Sequence, residues 1–117
     1  MEPIYLVTGA AGHLGNTIVR QLREKGCRVR ALVLPQDKLH AERLHGAEIF
    51  IGDVRNKDSM RSFFATKGAR TIVLHCAGIV SIASKYNQAV HDVNLNGTQN
   101  IVSLCESYGV AKLVHVS

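Results

Sequence analysis

Ile4-Tyr5-Leu6-Val7-Thr8-Gly9-Ala10-Ala11-Gly12-His13-Leu14-Gly15 is the stretch on which the fold turns. Its first five residues form an apolar run rich in β-formers, as suits a strand buried on both faces. Glycine follows at once. From His13 the spacing becomes helical, with Leu14, Ile18, Val19 and Leu22 on one face and Arg20, Arg23 and Glu24 on the other. Gly26 then ends the helix, as a left-handed residue beyond a last turn does. A strand, a glycine turn and a helix in this order give a glycine fingerprint physical meaning. Gly9 allows the tight turn, Gly12 the close approach of a pyrophosphate to the backbone, and Gly15 the close packing of helix on strand. The helix start offers N–H groups and the positive end of its dipole to phosphates. A glycine-rich turn without a ligand is the competing reading. His13, inside the loop, is expected to pack and orient rather than to act as a base.

Outward from this unit the alternation repeats. Residues 29–34 read as a second strand, stopped by Pro35, followed by a short polar helix over 37–45 and a third strand over 47–51. Gly52-Asp53 closes that strand. Met60, Phe63 and Phe64 mark the buried face of a further helix, which Gly68 is expected to terminate. Thr71-Ile72-Val73-Leu74-His75 reads as a fourth strand. A loop through Ala77-Gly78 leads into a long helix over 86–108, capped by Gly109, and residues 113–116 start a fifth strand. Strict alternation with short connections means a parallel sheet covered by helices on both faces. The expected class is α/β, a doubly wound Rossmann sheet of strand order 3-2-1-4-5 whose fifth strand is its last here.

Composition narrows the field. The 117 residues make one unit by the prior of roughly 100–200 residues per domain. Hydrophobic and charged fractions of 46% and 20% are ordinary for a globular chain and exclude disorder. No apolar run nears the roughly 18 residues of a membrane span. Glu2 stands where a signal peptide needs a basic region, so a cytoplasmic protein is expected. Cys27, Cys76 and Cys105 are an odd count without C-x-x-C spacing, which points to reduced thiols rather than a disulfide framework or zinc. The six histidines are scattered without ligand spacing, so no metal is expected. A net charge of +5 can mark a nucleic-acid partner. The charges are dispersed, however, except for Arg20, Arg23, Lys25, Arg28 and Arg30 at a helix end and the strand after it, where they complement the helix dipole. Three Tyr, three Phe and no Trp make a poor platform for stacking bases. Neither nucleic acid nor membrane is expected as a partner.

The glycines read Gly-x-x-Gly-x-x-Gly, with Thr8 before them. This resembles the extended short-chain dehydrogenase/reductase superfamily, the NAD-dependent epimerase/dehydratase family, and within it the dihydroflavonol-reductase and 3β-hydroxysteroid-dehydrogenase branch. The resemblance runs along the whole chain, because later segments match in order. Gly52-Asp53-Val54 resembles the family's acidic position after the third strand, which implies a carboxylate meeting the adenine amino group; an Asp capping the next turn competes with it. His75-Cys76-Ala77-Gly78 resembles the loop along which the cofactor passes. For His75 itself, a satisfied core histidine and a cofactor contact stand as equals. Asn94-Leu95-Asn96-Gly97-Thr98 resembles the helical segment facing the fourth strand. Asn and Gly are poor in a helix interior, so packing or a polar contact has to justify them. The resemblance puts Asn94 near the cofactor and makes Gly97 the point where helix and sheet approach. The implied cofactor-binding set is Gly9, Ala11, Gly12, His13, Leu14, Gly15, Leu34, Lys38, Asp53, Val54, Cys76, Ala77, Gly78 and Asn94.

The cofactor is NAD or NADP. An acid at the end of the second strand takes a ribose 2′-hydroxyl and an Arg takes a 2′-phosphate. The strand end reads Ala31-Leu32-Val33-Leu34-Pro35, with neither, and Leu34 stands where dihydroflavonol-reductase relatives place an Arg. Lys38 can reach a phosphate and Asp37 a hydroxyl. Arg30 belongs on the strand rather than at the ribose. The missing carboxylate tilts the choice towards NADP.

The resemblance implies catalysis through Tyr-x-x-x-Lys on one helical turn, aided by a Ser or Thr from the fifth strand. Tyr108 and Lys112 have that spacing but straddle Gly109 and precede the fifth strand, so they are rejected. Ser117 reads as the neighbour of the catalytic hydroxyl, and no catalytic residue is assigned. The resemblance implies the N-terminal NAD(P)-binding part of an oxidoreductase or epimerase/dehydratase, which transfers hydride at an oxygen-bearing carbon of a small-molecule substrate. This chain alone is expected to bind dinucleotide and to be inactive. A non-catalytic NAD(P) sensor on the same fold is the alternative. The Ala-Gly-Ile-Val-Ser run at 77–81 sits closer to the reductase and steroid-dehydrogenase branch than to sugar epimerases. Family dimers commonly use helices that include the one over 86–108, which leaves a homodimer open.

Overall fold

Leu6 and Val7 are neighbours in sequence, yet each is fully buried in a different hydrophobic core. Alternation of side chains across a strand does this when both faces of a sheet are covered. In the computed structural model, which describes residues 2–37, 44–76 and 92–116, that sheet has five strands. They are β1 (Ile4–Thr8), β2 (Arg28–Val33), β3 (Glu48–Ile51), β4 (Thr71–His75) and β5 (Lys112–His115). Every adjacent pair is parallel, and the order is β3-β2-β1-β4-β5, as expected from the sequence. Helix α1 (His13–Glu24) covers one face through Val19, which packs with Val7, Val29, Ala31 and Val33. The other face carries a 3₁₀ turn (Lys57–Met60), α2 (Arg61–Phe64) and α3 (Thr98–Tyr108). There Phe63, Phe64, Ile101 and Leu104 close over Ile4, Leu6 and Val73.

Gly26 ends α1 as expected. It has φ +79°, its N–H reaches Arg23 O at 3.0 Å, and Cys27 N–H reaches Leu22 O at 3.0 Å. That pair of bonds satisfies the last carbonyls of the helix. Gly109, at φ +66°, closes α3 in the same way, with Val110 N–H on Cys105 O at 3.0 Å.

Element ends differ from the sequence expectation by one residue at β2, β3 and β5, and by more at α2. The strand ladder stops at Val33, because Leu34 O already accepts Asp37 N–H at 2.9 Å and the chain turns there. The fifth strand begins one residue early, with Lys112 paired to Ile72. Helix α2 stops at Phe64, well before Gly68, which lies in a separate turn with Ala69 N–H on Thr66 O at 3.2 Å. The cause is Arg30. Its Nη1 donates to Ser62 O, Phe63 O and Ala65 O at 3.2, 3.0 and 3.1 Å. Those carbonyls would serve residues 66, 67 and 69 if the helix went on, since each accepts from four residues ahead. Glu48 holds the same guanidinium at 3.2 Å and Phe50 lies under it at 4.9 Å.

The long helix also differs. Its described part opens with a π-helical segment, Asp92–Gly97, before the regular α3. Most of the expected polar helix, at 38–43, and the start of the long helix, at 86–91, lie outside the described residues.

Candidate cofactor site

The site is built on the ends of parallel strands. Because all strands run the same way, the chain leaves β1 at Thr8, β2 at Val33, β3 at Ile51 and β4 at His75 along one edge. The strand order reverses between β1 and β4, and a crevice opens there by geometry alone.

After Thr8, Gly9 takes φ +64°, in the left-handed region, and its carbonyl accepts Gly12 N–H at 3.0 Å. Ala10 N–H reaches across to Leu32 O at 3.3 Å. Helix α1 then presses on the loop. A Cβ added at Gly15 would sit 2.2 Å from Gly9 O and 2.8 Å from Gly9 C. The close approach is therefore to the peptide just after β1, rather than to the strand itself. Gly12 is the N-cap, with no side-chain cap, and no acid occupies the first turn. Gly12, His13 and Leu14 are exposed, and Ala11 is half-buried. An uncapped, exposed helix start at a strand end suits an anion.

The adenine side is Gly52-Asp53-Val54, just beyond β3. Asp53 N–H donates to Ser59 Oγ at 2.9 Å, and that hydroxyl lies 2.6 Å from Asn56 O and 3.1 Å from Asp53 O. The Asp53 carboxylate accepts the backbone N–H of Arg55 at 2.9 Å. It also takes the Arg55 side chain, with Nη2 to Oδ2 at 2.7 Å and Nε to Oδ1 at 3.1 Å. Arg55 holds the carboxyl below its usual range, against the opposing pull of partial burial. Asp53 thus caps the turn, as the bland alternative had it, and stays ionised beside the strand ends. Val54 faces two ways. Its side chain belongs to the core beneath α3, and its carbonyl accepts Asn100 Nδ2 at 2.9 Å. Gly97 lies against the same residue, where a Cβ would come within 2.6 Å of Val54 Cγ2. The glycine in the helical pattern is there for that contact.

At the crevice, Thr8 Oγ1 and His75 Nδ1 are 2.7 Å apart, and Cys76 N–H donates to Thr8 Oγ1 at 3.0 Å. His75 Nε2 lies 3.2 Å from Thr98 Oγ1, and its ring stacks on His115 at 5.2 Å. Burial, aided by the charge of His115, pushes His75 down to about 4. With both ring nitrogens on hydroxyls, His75 is a satisfied core histidine. Burial raises the Cys76 thiol to about 11, so it is a packing group rather than a nucleophile.

Of the other residues singled out from the sequence, Leu34 is half-buried at the β2 end and Asn94 lies on the π-helical segment. Lys38, Ala77, Gly78 and Ser117 lie outside the described residues. Tyr108 is the last residue of α3 and Lys112 the first of β5, so the two share no helical turn. Thr8, Arg55, Ser59, Thr98 and Asn100 were not assigned from the sequence. Asn100 carried the signal already noted for Asn94, a poor helix former inside a helix. The basic cluster is partly structural, since Arg23 ties Cys27 O at 2.8 Å and His45 O at 3.3 Å. Among the described residues no group of three His, Cys, Asp or Glu side chains could hold a metal, and no helix is long and apolar enough to cross a membrane.

Comparison with known proteins agrees with the fold. The chain is 38% identical over 112 residues to sterol demethylase protein B of Methylococcus capsulatus, covering 96% of this chain and 33% of that protein. It is 35% identical over 121 residues to mouse 3 beta-hydroxysteroid dehydrogenase type 7, covering 97% and 32%. The solved UDP-glucose 4-epimerase of Thermus thermophilus, a complex with NAD, superposes with a TM-score of 0.78 at 33% identity, over 94% of this chain and 36% of that one. The chain thus spans about a third of the length of the relatives it matches. The sequence profile of the NAD dependent epimerase/dehydratase family matches residues 5–117, and the chain belongs to that family.

Proposed function

We propose that this chain binds a nicotinamide dinucleotide across the C-terminal ends of β1 to β4. It would be the cofactor-holding part of an oxidoreductase or epimerase/dehydratase that moves hydride at an oxygen-bearing carbon. The observation that carries the reading is the contact of Gly15 with the Gly9 carbonyl beneath an uncapped helix start. The pyrophosphate sits over Gly12 and the first N–H groups of α1, at His13 and Leu14. Adenine meets Asp53 and Val54, the ribose lies by Leu34 and Lys38, and the nicotinamide half runs along Cys76, Ala77, Gly78 and Asn94. The bound group supplies the hydride acceptor or donor. The protein residues named here bind and orient it.

No carboxylate occupies the end of β2, where Leu34 stands, which favours NADP over NAD. Identity to the sterol and hydroxysteroid proteins supports a substrate of that branch. Tyr108 and Lys112, on either side of Gly109, do not form an acid–base pair, so this chain is expected to bind without turnover. Fluorescence titration with NADPH and NADH tests the reading. Saturable binding, tighter for NADPH and without oxidation of the reduced cofactor, is expected. No binding of either at millimolar concentration overturns it.

A further inference from the structure

The peptide between Val54 and Arg55 is gripped from both ends. Its carbonyl, on Val54, accepts Asn100 Nδ2 at 2.9 Å, and its N–H, on Arg55, donates to Asp53 Oδ1 at 2.9 Å. A peptide unit is planar and stiff, so fixing its oxygen fixes the direction in which its N–H points. Asn100 comes from α3, 46 residues further along the chain. Asn100 thus reaches this arrangement from another element, whereas Ser59 and Arg55 belong to the same loop and turn. Gly97 brings α3 close enough for the bond, because any side chain there would strike Val54.

We propose that Asn100 is a positioning residue for the Asp53 carboxylate, acting through the Val54–Arg55 peptide, and so sets how strictly the site reads the adenine edge. The proposal rests on the reading that adenine binds at Asp53 and Val54. Adenine presents an amino donor and a ring-nitrogen acceptor on that edge. Hypoxanthine presents a carbonyl and an N–H in their place, so its oxygen faces the carboxylate. A carboxylate held in one orientation rejects it, and a loosened one rotates and tolerates it. Discrimination built on a polar match is lost when the match loosens, whereas uniform weakening leaves the ratio of the two affinities alone.

The test is the affinity of this chain for NADPH and for its hypoxanthine analogue, in wild type and in Asn100→Ala. The wild type is expected to prefer adenine at least tenfold, and the variant to lose about three- to tenfold of that preference, as one net hydrogen bond is worth. Asn100→Gln, which keeps the amide donor, restores part of it. If Asn100→Ala does not fold, Asn100→Leu fills the space without a donor and is read in the same way. Carbon-detected NMR titration of Asp53 gives a second readout that needs no cofactor. Its carboxyl pKa rises in the variant if the backbone N–H of Arg55 swings away. A wild type that binds neither nucleotide, or binds both equally, overturns the adenine reading and the proposal with it. A variant that keeps the full preference and an unmoved Asp53 titration overturns the proposal alone.

Discussion

Lowering the pH from 7 to 4.5 should destabilise this chain through His75. The ring is 1% exposed, lies between Thr8 Oγ1 at 2.7 Å and Thr98 Oγ1 at 3.2 Å, and stacks on His115. Its folded pKa is about 4, against an ordinary 6.5 when unfolded. The sign follows from that depression. Above pH 6.5 both states hold neutral imidazole and the stabilisation is full. As the pH falls towards 4 the unfolded chain takes up a proton that the fold refuses, so stability drops. At about 1.4 kcal/mol for each pH unit, the loss reaches about 2.5 kcal/mol by pH 4.5 and about 3 kcal/mol below pH 4. Asp53 acts elsewhere, because its lowered pKa costs stability only as the pH falls below 3.8. Urea unfolding followed by circular dichroism across pH 7 to 4.5 measures the slope. His75→Asn, which bonds Thr8 but takes no proton, should start less stable and lose about 2 kcal/mol less over the same range. Equal slopes in the two proteins would refute the reasoning. So would an imidazole resonance of His75 titrating near 6.5.

Three further outcomes are expected. Gly15→Ala puts a Cβ 2.2 Å from Gly9 O, a backbone atom that no rotamer change moves. Destabilisation of about 1–3 kcal/mol in thermal melts and a tenfold or larger loss of dinucleotide affinity should appear together. Arg30→Met keeps the stem but abandons the carbonyls of Ser62, Phe63 and Ala65, so the end of α2 should fray at a cost of about 2 kcal/mol, seen as faster amide exchange there. Cofactor affinity, by titration, should hardly change. Cys76 and Cys105, each raised to about 11 by burial, should react with iodoacetamide at pH 8 about a hundredfold more slowly in the fold than in urea.

The strand order was legible because each strand is short, apolar and followed by a helical pattern, and few topologies satisfy that alternation. Gly26 and Gly109 announced their helix ends because nothing else tolerates their left-handed φ so well. The end of α2 was not legible. It is set by Arg30, a residue over thirty positions earlier whose charge had suggested only a helix dipole. The glycine loop was readable as a binding turn, yet the reason for Gly15, contact with a loop carbonyl rather than a strand, lies in how α1 packs on the Gly9 peptide, which no local pattern records. The adenine side was half readable. Asp53 stood out by its place after β3, while its frame of Ser59, Arg55 and Asn100 is made of ordinary polar residues that only distance brings into one arrangement.

The contact of Gly15 with Gly9 also bears on how fast a ligand is captured. A phosphate loop that floats free in the empty protein must be ordered at each encounter, and that ordering weakens binding and delays it. Here the protein itself braces the loop on three sides, by Gly12 N–H, by Leu32 O and by the body of α1. Its ordering entropy is settled once, at folding, and encounter with an anion becomes a matter of diffusion and of losing water.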